Sequence, residues 1–219
     1  MKRTRKVCAK IIRLYESIKL KEVNFNNWDM IIAEPEVFIN IGVGVPDSEA
    51  WKAKKTWPQI KIFGVEPCPE RFNLCKNSFP GELIECAVGI NDGLIEMQPI
   101  DGMVVNYPRR HQREENKIKV QCRSLDSLDR EFGPFNNVFL WADIEGAELD
   151  MLMGATNLLK SGRVTCISLE IWSEYQTNGW CLKNEVVEYL AQYNYKPKYI
   201  WLGETQSILR DYLFLRDKN

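Results

Sequence analysis

Glycine and acidic residues stand where two apolar segments of the sequence end. Gly42 and Gly44 follow the segment at residues 37–41, and Glu66 follows the segment at 60–65. Glycine lets the backbone turn tightly and approach a ligand closely. A carboxylate at the end of the second strand of a nucleotide-binding fold can accept hydrogen bonds from both ribose hydroxyls. An ordinary turn would also use the glycines, and Glu66 could be a surface acid, so both interpretations are open from these residues alone.

A second group of residues is acidic and follows a later apolar segment. Asp143 and Glu145 stand at alternate positions, directly before Gly146. If both belong to the strand, its alternation sends them to the same side. Close carboxylates favour a cation, a ligand hydroxyl or a shared proton. Helix capping would explain the nearby Glu148 but not Asp143, so we take Asp143, Glu145 and Glu170, at the end of the next strand, as candidate catalytic residues.

Apolar segments alternate with amphipathic ones along most of the chain. We predict strands at residues 37–41, 60–65, 83–88, 138–144 and 164–171, shorter extended segments at 94–97, 104–105 and 118–122, and a closing hairpin from 199–202 and 212–215. We predict helices at residues 48–56, 70–77, 125–132, 148–160 and 185–193. This alternation is typical of an α/β fold of the Rossmann-like kind, a mainly parallel sheet with helices on both faces. Ligands of such sheets bind at the carboxyl ends of the strands.

The chain is expected to form a single domain over residues 1–219. Residues 1–30 would be an N-terminal helical cap, 37–171 the core, and 172–219 a C-terminal helix with closing strands. Apolar residues recur at helical spacing in the cap, at Val7, Ile11, Tyr15 and Ile18. This helix would cover a sheet edge or pack in a homodimer.

Composition excludes several classes of function. The 29 basic and 30 acidic residues give a net charge of −1, so no general attraction to nucleic acid or to an anionic membrane is expected. No apolar segment has membrane-spanning length, and no signal-peptide pattern follows the basic N-terminus. The seven cysteines are scattered and the chain has one histidine, which argues against a zinc site. Free thiols fit a reducing compartment, so we expect a cytoplasmic protein.

At these residues the sequence resembles the FkbM family of S-adenosylmethionine-dependent methyltransferases. The resemblance runs over residues 37–171 and is most specific at 124–128 and 140–148. The letters SLDSL and LWADIEGAE there are similar to the family signature TLD-x-L … D-x-EGAE. Residues 65–69 resemble its EP-x-P ribose-binding segment, and residues 85–89 resemble its adenine-side strand.

The resemblance implies a class I methyltransferase fold that binds S-adenosylmethionine. The cofactor-binding residues that it implies are Asn40, Gly42, Val43, Gly44, Glu66, Pro67, Cys86, Ala87 and Asp143. Four positions depart from the family pattern, since Asn40 replaces an aspartate, Gly44 an asparagine, Pro46 a glycine and Trp141 a lysine. No dedicated metal motif is present, although a divalent cation beside the acids is an alternative.

The expected reaction is methylation of a hydroxyl on a sugar, a nucleoside or a small natural product. One of the acids Asp143, Glu145 and Glu170 would take the proton. The acceptor would be held by residues 107–113, which include His111, and by residues 172–180. Two alternatives are a dehydrogenase-like nucleotide binder, against which Asp47 stands in place of a third glycine, and a module that binds the cofactor without catalysis.

Overall fold

The computed structural model describes residues 20–24, 28–46, 48–100, 103–105, 117–172, 183–202 and 209–217. The predicted N-terminal helix, His111 and the acceptor segment at 107–113 lie outside the described residues, as does the acceptor segment at 172–180 apart from its first residue. Numbered along the chain, the strands are β1 Lys21–Asn24, β2 Val37–Ile41, β3 Lys61–Val65, β4 Glu82–Ile84, β5 Ala87–Val88, β6 Gly93–Ile100, β7 Met103–Val105, β8 Ile118–Arg123, β9 Val138–Ala142, β10 Val164–Trp172, β11 Tyr195–Leu202 and β12 Leu209–Arg216. The helices are α1 Trp28–Ile31, α2 Glu49–Thr56, α3 Pro69–Cys75, α4 Leu125–Phe132, α5 Glu148–Met153, α6 Thr156–Ser161 and α7 Lys183–Ala191.

The described strands form a main sheet of eight in the order β1-β11-β12-β10-β9-β2-β3-β4. Strands β4, β3, β2, β9 and β10 are parallel neighbours, and β12 runs antiparallel between β10 and β11. The chain winds outward from β2 through β3 to β4 and then returns to β9 on the other side of β2. This reversal creates a crevice at the carboxyl ends of β2 and β9, the usual ligand position in such sheets.

Helices cover both faces of the main sheet, which explains why β2 and β9 are buried along their whole length. One face packs against α4, α5, α6 and α7, and the other packs against α1, α2 and α3. Alternate residues of β2 serve the two cores, with Ile39 on the first face and Phe38 on the second. The predicted Rossmann-like α/β fold is therefore confirmed.

The predicted strand at 83–88 is wrong, because the chain changes sheets within it. Strand β4 pairs with β3 in the main sheet, whereas β5 pairs with β8 in a second sheet of order β5-β8-β6-β7. A tight turn separates β4 from β5, and its Cys86 N–H donates to Ile84 O at 3.2 Å. The second sheet has a small core of its own, formed by Ala87, Met97, Val120 and Cys122.

Two further predicted elements end earlier than expected. Strand β9 stops at Ala142, so Asp143 follows the strand instead of lying inside it. The helix predicted at 148–160 is two helices, α5 and α6, which are separated at Gly154. A Cβ at Gly154 would lie 2.0 Å from Gly89 O, so only glycine permits this approach between the helix and the second sheet. The predicted helix at 125–132 and the antiparallel closing hairpin are confirmed.

Candidate functional site

The loop after β2 is shaped by glycines with left-handed backbone angles. Gly42 has φ 80° and Gly44 has φ 67°. A Cβ at Gly42 would lie 2.1 Å from Asp143 O, so any other residue would separate this loop from the end of β9. The two strand ends are held together there, since Asp143 N–H donates to Ile41 O at 3.1 Å.

Glu66 follows β3 and points back at the glycine loop. Its Oε2 accepts from Gly44 N–H at 2.8 Å and its Oε1 accepts from Cys68 N–H at 2.8 Å. Burial raises the pKa of this carboxyl, and the two N–H donors and Arg71 oppose the increase. A carboxylate has about four lone-pair sites, so Glu66 keeps acceptor capacity for ligand hydroxyls.

The turn after β9 contains a strained residue. Glu145 has φ 56°, a left-handed conformation that costs a non-glycine residue of order 1 to 3 kcal/mol. Glu148 holds this turn from the first residue of α5, because its Oε1 accepts from Ile144 N–H and from Gly146 N–H, both at 3.2 Å. The Glu148 side chain is only 1% exposed. It is therefore a structural acid that sets the positions of Asp143 and Glu145.

Asp143, Glu170 and Asp211 place three carboxyl groups beside one another. Asp143 is exposed toward the crevice, yet the surrounding protein desolvates its carboxyl, and this raises its pKa well above the usual value. Burial raises the pKa of Glu170 to about 7, and the neighbouring Asp211 adds to the increase. A hydrogen bond between the Asp143 and Glu170 side chains raises the pKa of Asp143 and opposes the increase at Glu170. The two therefore titrate as a pair in which Asp143 is the group that retains the proton.

The glycine loop, Glu66, Asp143 and Glu145 line a cavity of about 400 Å³ at the crevice. That volume is within the usual range of small-molecule sites. Glu49, Asp143 and Glu145 contribute acidic groups to the cavity wall, and Arg71 contributes a basic one. Ile95 and Met97 of β6 form an apolar part of the wall and pack in one cluster with Ala87. Burial raises the pKa of the Cys86 thiol to about 12, so Cys86 presents a neutral surface there.

Most of the residues singled out from the sequence meet in this cavity. Its wall includes Gly42, Val43, Gly44, Glu66, Pro67, Cys86, Ala87, Asp143 and Glu145. Glu170 lies behind Asp143 and outside the wall. Asn40 is completely buried beneath the glycine loop, with Nδ2 3.5 Å from Gly42 O, and among the described residues its Oδ1 has no hydrogen-bond partner. The structure therefore places Asn40 under the site and not in contact with the cavity.

Sequence reasoning missed several residues of this region. Arg71 and Glu49 line the cavity from α3 and α2, and the apolar pair Ile95 and Met97 lines it from β6. The alternation of Ile95 and Met97 in a predicted extended segment was a usable signal. For Asp211 the sequence offered none, because only the packing of β12 against β10 brings it to Glu170.

Two features are absent from the described part of the chain. No group of three or more His, Cys, Asp or Glu side chains there is arranged to hold a metal ion. No helix within the described ranges is long and apolar enough to cross a membrane.

Comparison with known proteins identifies the family. The family model described as the methyltransferase FkbM domain matches residues 36–197, well over half of the chain. The chain belongs to the FkbM methyltransferase family. Membership of this family favours methyl transfer over the dehydrogenase-like alternative.

One curated relative and two solved structures illustrate how similar this FkbM protein is to known proteins. The 2-O-methyltransferase NoeI of Sinorhizobium fredii (strain NBRC 101917 / NGR234) is 25% identical over 166 residues, which cover 66% of this chain and 65% of that protein. The methyltransferase domain of bacterial CtHen1-C is 12% identical, with a TM-score of 0.50 over 98% of this chain and 99% of that one. Magnesium protoporphyrin IX methyltransferase from Synechocystis PCC 6803, solved with bound SAM, is 9% identical, with a TM-score of 0.49 over 98% of this chain and 80% of that one. The CtHen1-C domain supports the class I methyltransferase fold.

The residues of the cavity fit the cofactor of the family. The glycine loop leaves room for a ligand against the backbone, Glu66 offers acceptor oxygens for ribose hydroxyls, and the apolar wall beside Ile95 and Met97 suits a flat base. S-adenosylmethionine has both ribose hydroxyls and a flat base, its adenine.

Two departures from the family pattern are neighbours in the sheet. Asn40 of β2 is the register partner of Trp141 of β9. The resemblance to the family pattern implies an aspartate and a lysine at these two positions, where this chain has two uncharged side chains. Trp141 packs there against Trp28, Phe139 and Trp201.

Proposed function

We propose that this FkbM methyltransferase methylates a hydroxyl group of a sugar, a nucleoside or a small natural product. The observation that carries the proposal is the hydrogen-bonded Asp143–Glu170 carboxyl pair, in which Asp143 lines the cavity and burial raises the pKa of Glu170 to about 7. A hydroxyl must lose its proton as its oxygen is methylated, so a base with a pKa near the working pH is required. The curated relative NoeI, by its name a 2-O-methyltransferase, also supports a hydroxyl acceptor.

The cofactor would be held in the crevice at the carboxyl ends of β2 and β9. Gly42, Val43 and Gly44 would approach it with their backbone, and Glu66 would accept hydrogen bonds from its ribose. Its adenine would lie between the segment at 86–87 and β6. Pro67 would support the ribose from the same loop as Glu66, and Asp143 would meet the methionine end. Asn40 would act indirectly, by supporting the loop from below.

In this proposal the chain's own residues align the acceptor and move one proton. The bound cofactor supplies an electrophilic methyl group, and transfer breaks its S–CH₃ bond as the new O–CH₃ bond forms. The Asp143 oxygen that faces the cavity would accept the acceptor hydroxyl's proton, while the proton that Asp143 already shares would pass to Glu170. The pair gains one proton overall, so the charges balance. Glu145, which lies in the same wall, would orient the acceptor.

The proposal is tested by methyl transfer from labelled S-adenosylmethionine to a panel of sugars, nucleosides and phenols. Asp143→Asn and Glu170→Gln should each reduce kcat by 10²-fold or more, the typical contribution of a general base, while S-adenosylhomocysteine still binds. Glu70→Gln, an exposed acid on α3, is the matched control and should retain activity.

Full turnover of both variants would contradict the assignment of the base. Binding of S-adenosylhomocysteine by the wild-type protein without transfer to any hydroxyl would favour the module without catalysis. The single-domain organisation over residues 1–219, the cytoplasmic location and the homodimer stay predictions.

A further inference from the structure

Asp211 is an acid of β12 that lies outside the segment matched by the FkbM family model. In the antiparallel pairing of β10 with β12 it stands directly opposite Glu170. Side chains of such directly opposed residues are on the same face of the sheet and within reach of each other. Like charges in this arrangement repel, so a functional reason is needed for two acids here.

Glu170 lies between Asp211 and the residue of the cavity wall, Asp143, across adjacent strands of the sheet. Leu169 pairs with Ala142 in the parallel register of β10 and β9, so Glu170 and Asp143 are the next residues along each chain. The Asp143 and Glu170 side chains share a hydrogen bond, and Asp143 lines the cavity. Three carboxyl groups thus form a row from β12 to the cavity wall.

We infer that Asp211 is a positioning residue of this methyltransferase, whose carboxylate beside Glu170 keeps one proton on the Asp143–Glu170 pair and thereby prepares the pair to exchange a proton with the acceptor. The inference rests on the proposed function, in which that pair is the base. Asp211 acts through Glu170 and does not itself meet the acceptor.

The charges around the row support this role. After burial, the largest influence that raises the pKa of Glu170 is Asp211, and Glu145 and Glu148 from the turn and helix after β9 add to it. Burial raises the pKa of Asp211 itself to about 7, with contributions from Asp143 and from Glu49 of α2.

Described cations near these elements influence other groups. Arg71, in the cavity wall, lowers the pKa of Glu145 and of Glu66. Lys52 is coupled to Glu49, at the start of α2. Lys183 of α7 lies 5.2 Å from the ring centroid of Tyr212, whose side chain belongs to the opposite face of β12. The pKa values in the row are therefore influenced mainly by neighbouring acids. Removal of one negative charge should lower the pKa of the remaining carboxyl groups.

The test is a ¹³C NMR titration of the side-chain carboxyl groups in the whole protein, with the Glu170 resonance assigned by its loss in Glu170→Gln. In the wild type its midpoint should lie near pH 7, and in Asp211→Asn it should fall by about one unit, the effect of removing an adjacent like charge. Asp211→Glu keeps the charge and should restore the wild-type midpoint. Asp217→Asn is the matched control at the end of β12, where Asp217 pairs with Lys196 and Lys198, and it should leave the midpoint unchanged.

A Glu170 midpoint near 4.5 in the wild type, or one that Asp211→Asn does not move, would overturn the inference. If Asp211→Asn does not fold, Asp211→Ser removes the same charge with a smaller side chain and should lower the Glu170 midpoint by the same amount. With an active acceptor, the acid limb of the kcat/KM profile should move down in pH by the same amount as the Glu170 midpoint. Because the titration needs no substrate, a shifted midpoint without hydroxyl methylation would overturn the proposed function and leave the coupling standing.

Discussion

At the scale of single residues, the acids of this site divide into structural and ligand-facing groups. Glu148 is buried and holds the turn after β9 through two backbone N–H groups. Asp126 likewise accepts from Asn157 N–H and Leu158 N–H at the start of α6. Both belong to the signature on which the resemblance rests, so part of that signature consists of residues with a structural role. Glu66 differs from them, because it lines the cavity and keeps acceptor capacity.

Glu66→Gln should weaken binding of S-adenosylhomocysteine by about 10- to 100-fold, since hydrogen bonds to a charged acceptor contribute roughly 1.5 to 3 kcal/mol. The amide nitrogen would also face the Gly44 and Cys68 N–H donors or the ribose, and it cannot accept from any of them. Isothermal titration calorimetry measures the effect, with Glu70→Gln as the control that should bind normally. Wild-type affinity in Glu66→Gln would remove the ribose role from this residue.

At the scale of elements, the break between α5 and α6 connects the core to the second sheet. Gly154 approaches Gly89 too closely for a side chain, and Asp126 N–H donates to Gly154 O at 2.9 Å. Asp126 then caps α6, where its carboxylate satisfies N–H groups that have no partner within the helix. Helix α4, which carries Asp126, is thereby fixed to α6, and the strand β5 beside the cavity is fixed to both.

Asp126→Ala should lower the free energy of unfolding by about 1 to 2 kcal/mol, the usual cost of a lost cap. Urea unfolding followed by circular dichroism measures the change. Asp29→Ala, an exposed acid on α1, is the control and should stay near the wild-type value. An unchanged midpoint in Asp126→Ala would mean that the break is held by the packing of Gly154 alone.

At the scale of the whole molecule, the acid row links stability to pH. The pKa of Glu170 and that of Asp211 are each raised to about 7, chiefly by burial, from usual values of 4.5 and 3.8. Between those values and pH 7 the folded protein binds more protons than the unfolded chain. The stabilisation from these groups is therefore complete at low pH and is lost as pH rises toward 7.

The free energy of unfolding should accordingly decline between pH 4.5 and 7.5, and Glu170→Gln should make the decline shallower by about 1 to 3 kcal/mol over that range. Urea unfolding at a series of pH values measures the slope. Glu70→Gln serves as the control that keeps the wild-type slope. A slope in Glu170→Gln equal to that of the wild type would show that Glu170 has the same pKa in the folded and the unfolded protein.

The sequence alone determined most of the strands and helices of the core, the Rossmann-like α/β class and the residues at the strand ends. These depend on short-range patterns, because apolar runs and glycine turns mark each strand and its end locally. Most cofactor-binding candidates from the sequence, among them Gly42 and Glu66, therefore meet in one cavity. The family signature added the identity of the cofactor.

Only the tertiary structure decided how residues distant in the chain combine. The segment at 83–88 divides between two sheets because its halves have different pairing partners, and no local pattern specifies a partner. Asn40 is removed from the cavity by its burial opposite Trp141, and Asp211 joins Glu170 through the register of β12. Sheet pairing is a long-range choice made by the whole core, so the acids that govern the proton at this site became visible only in the fold.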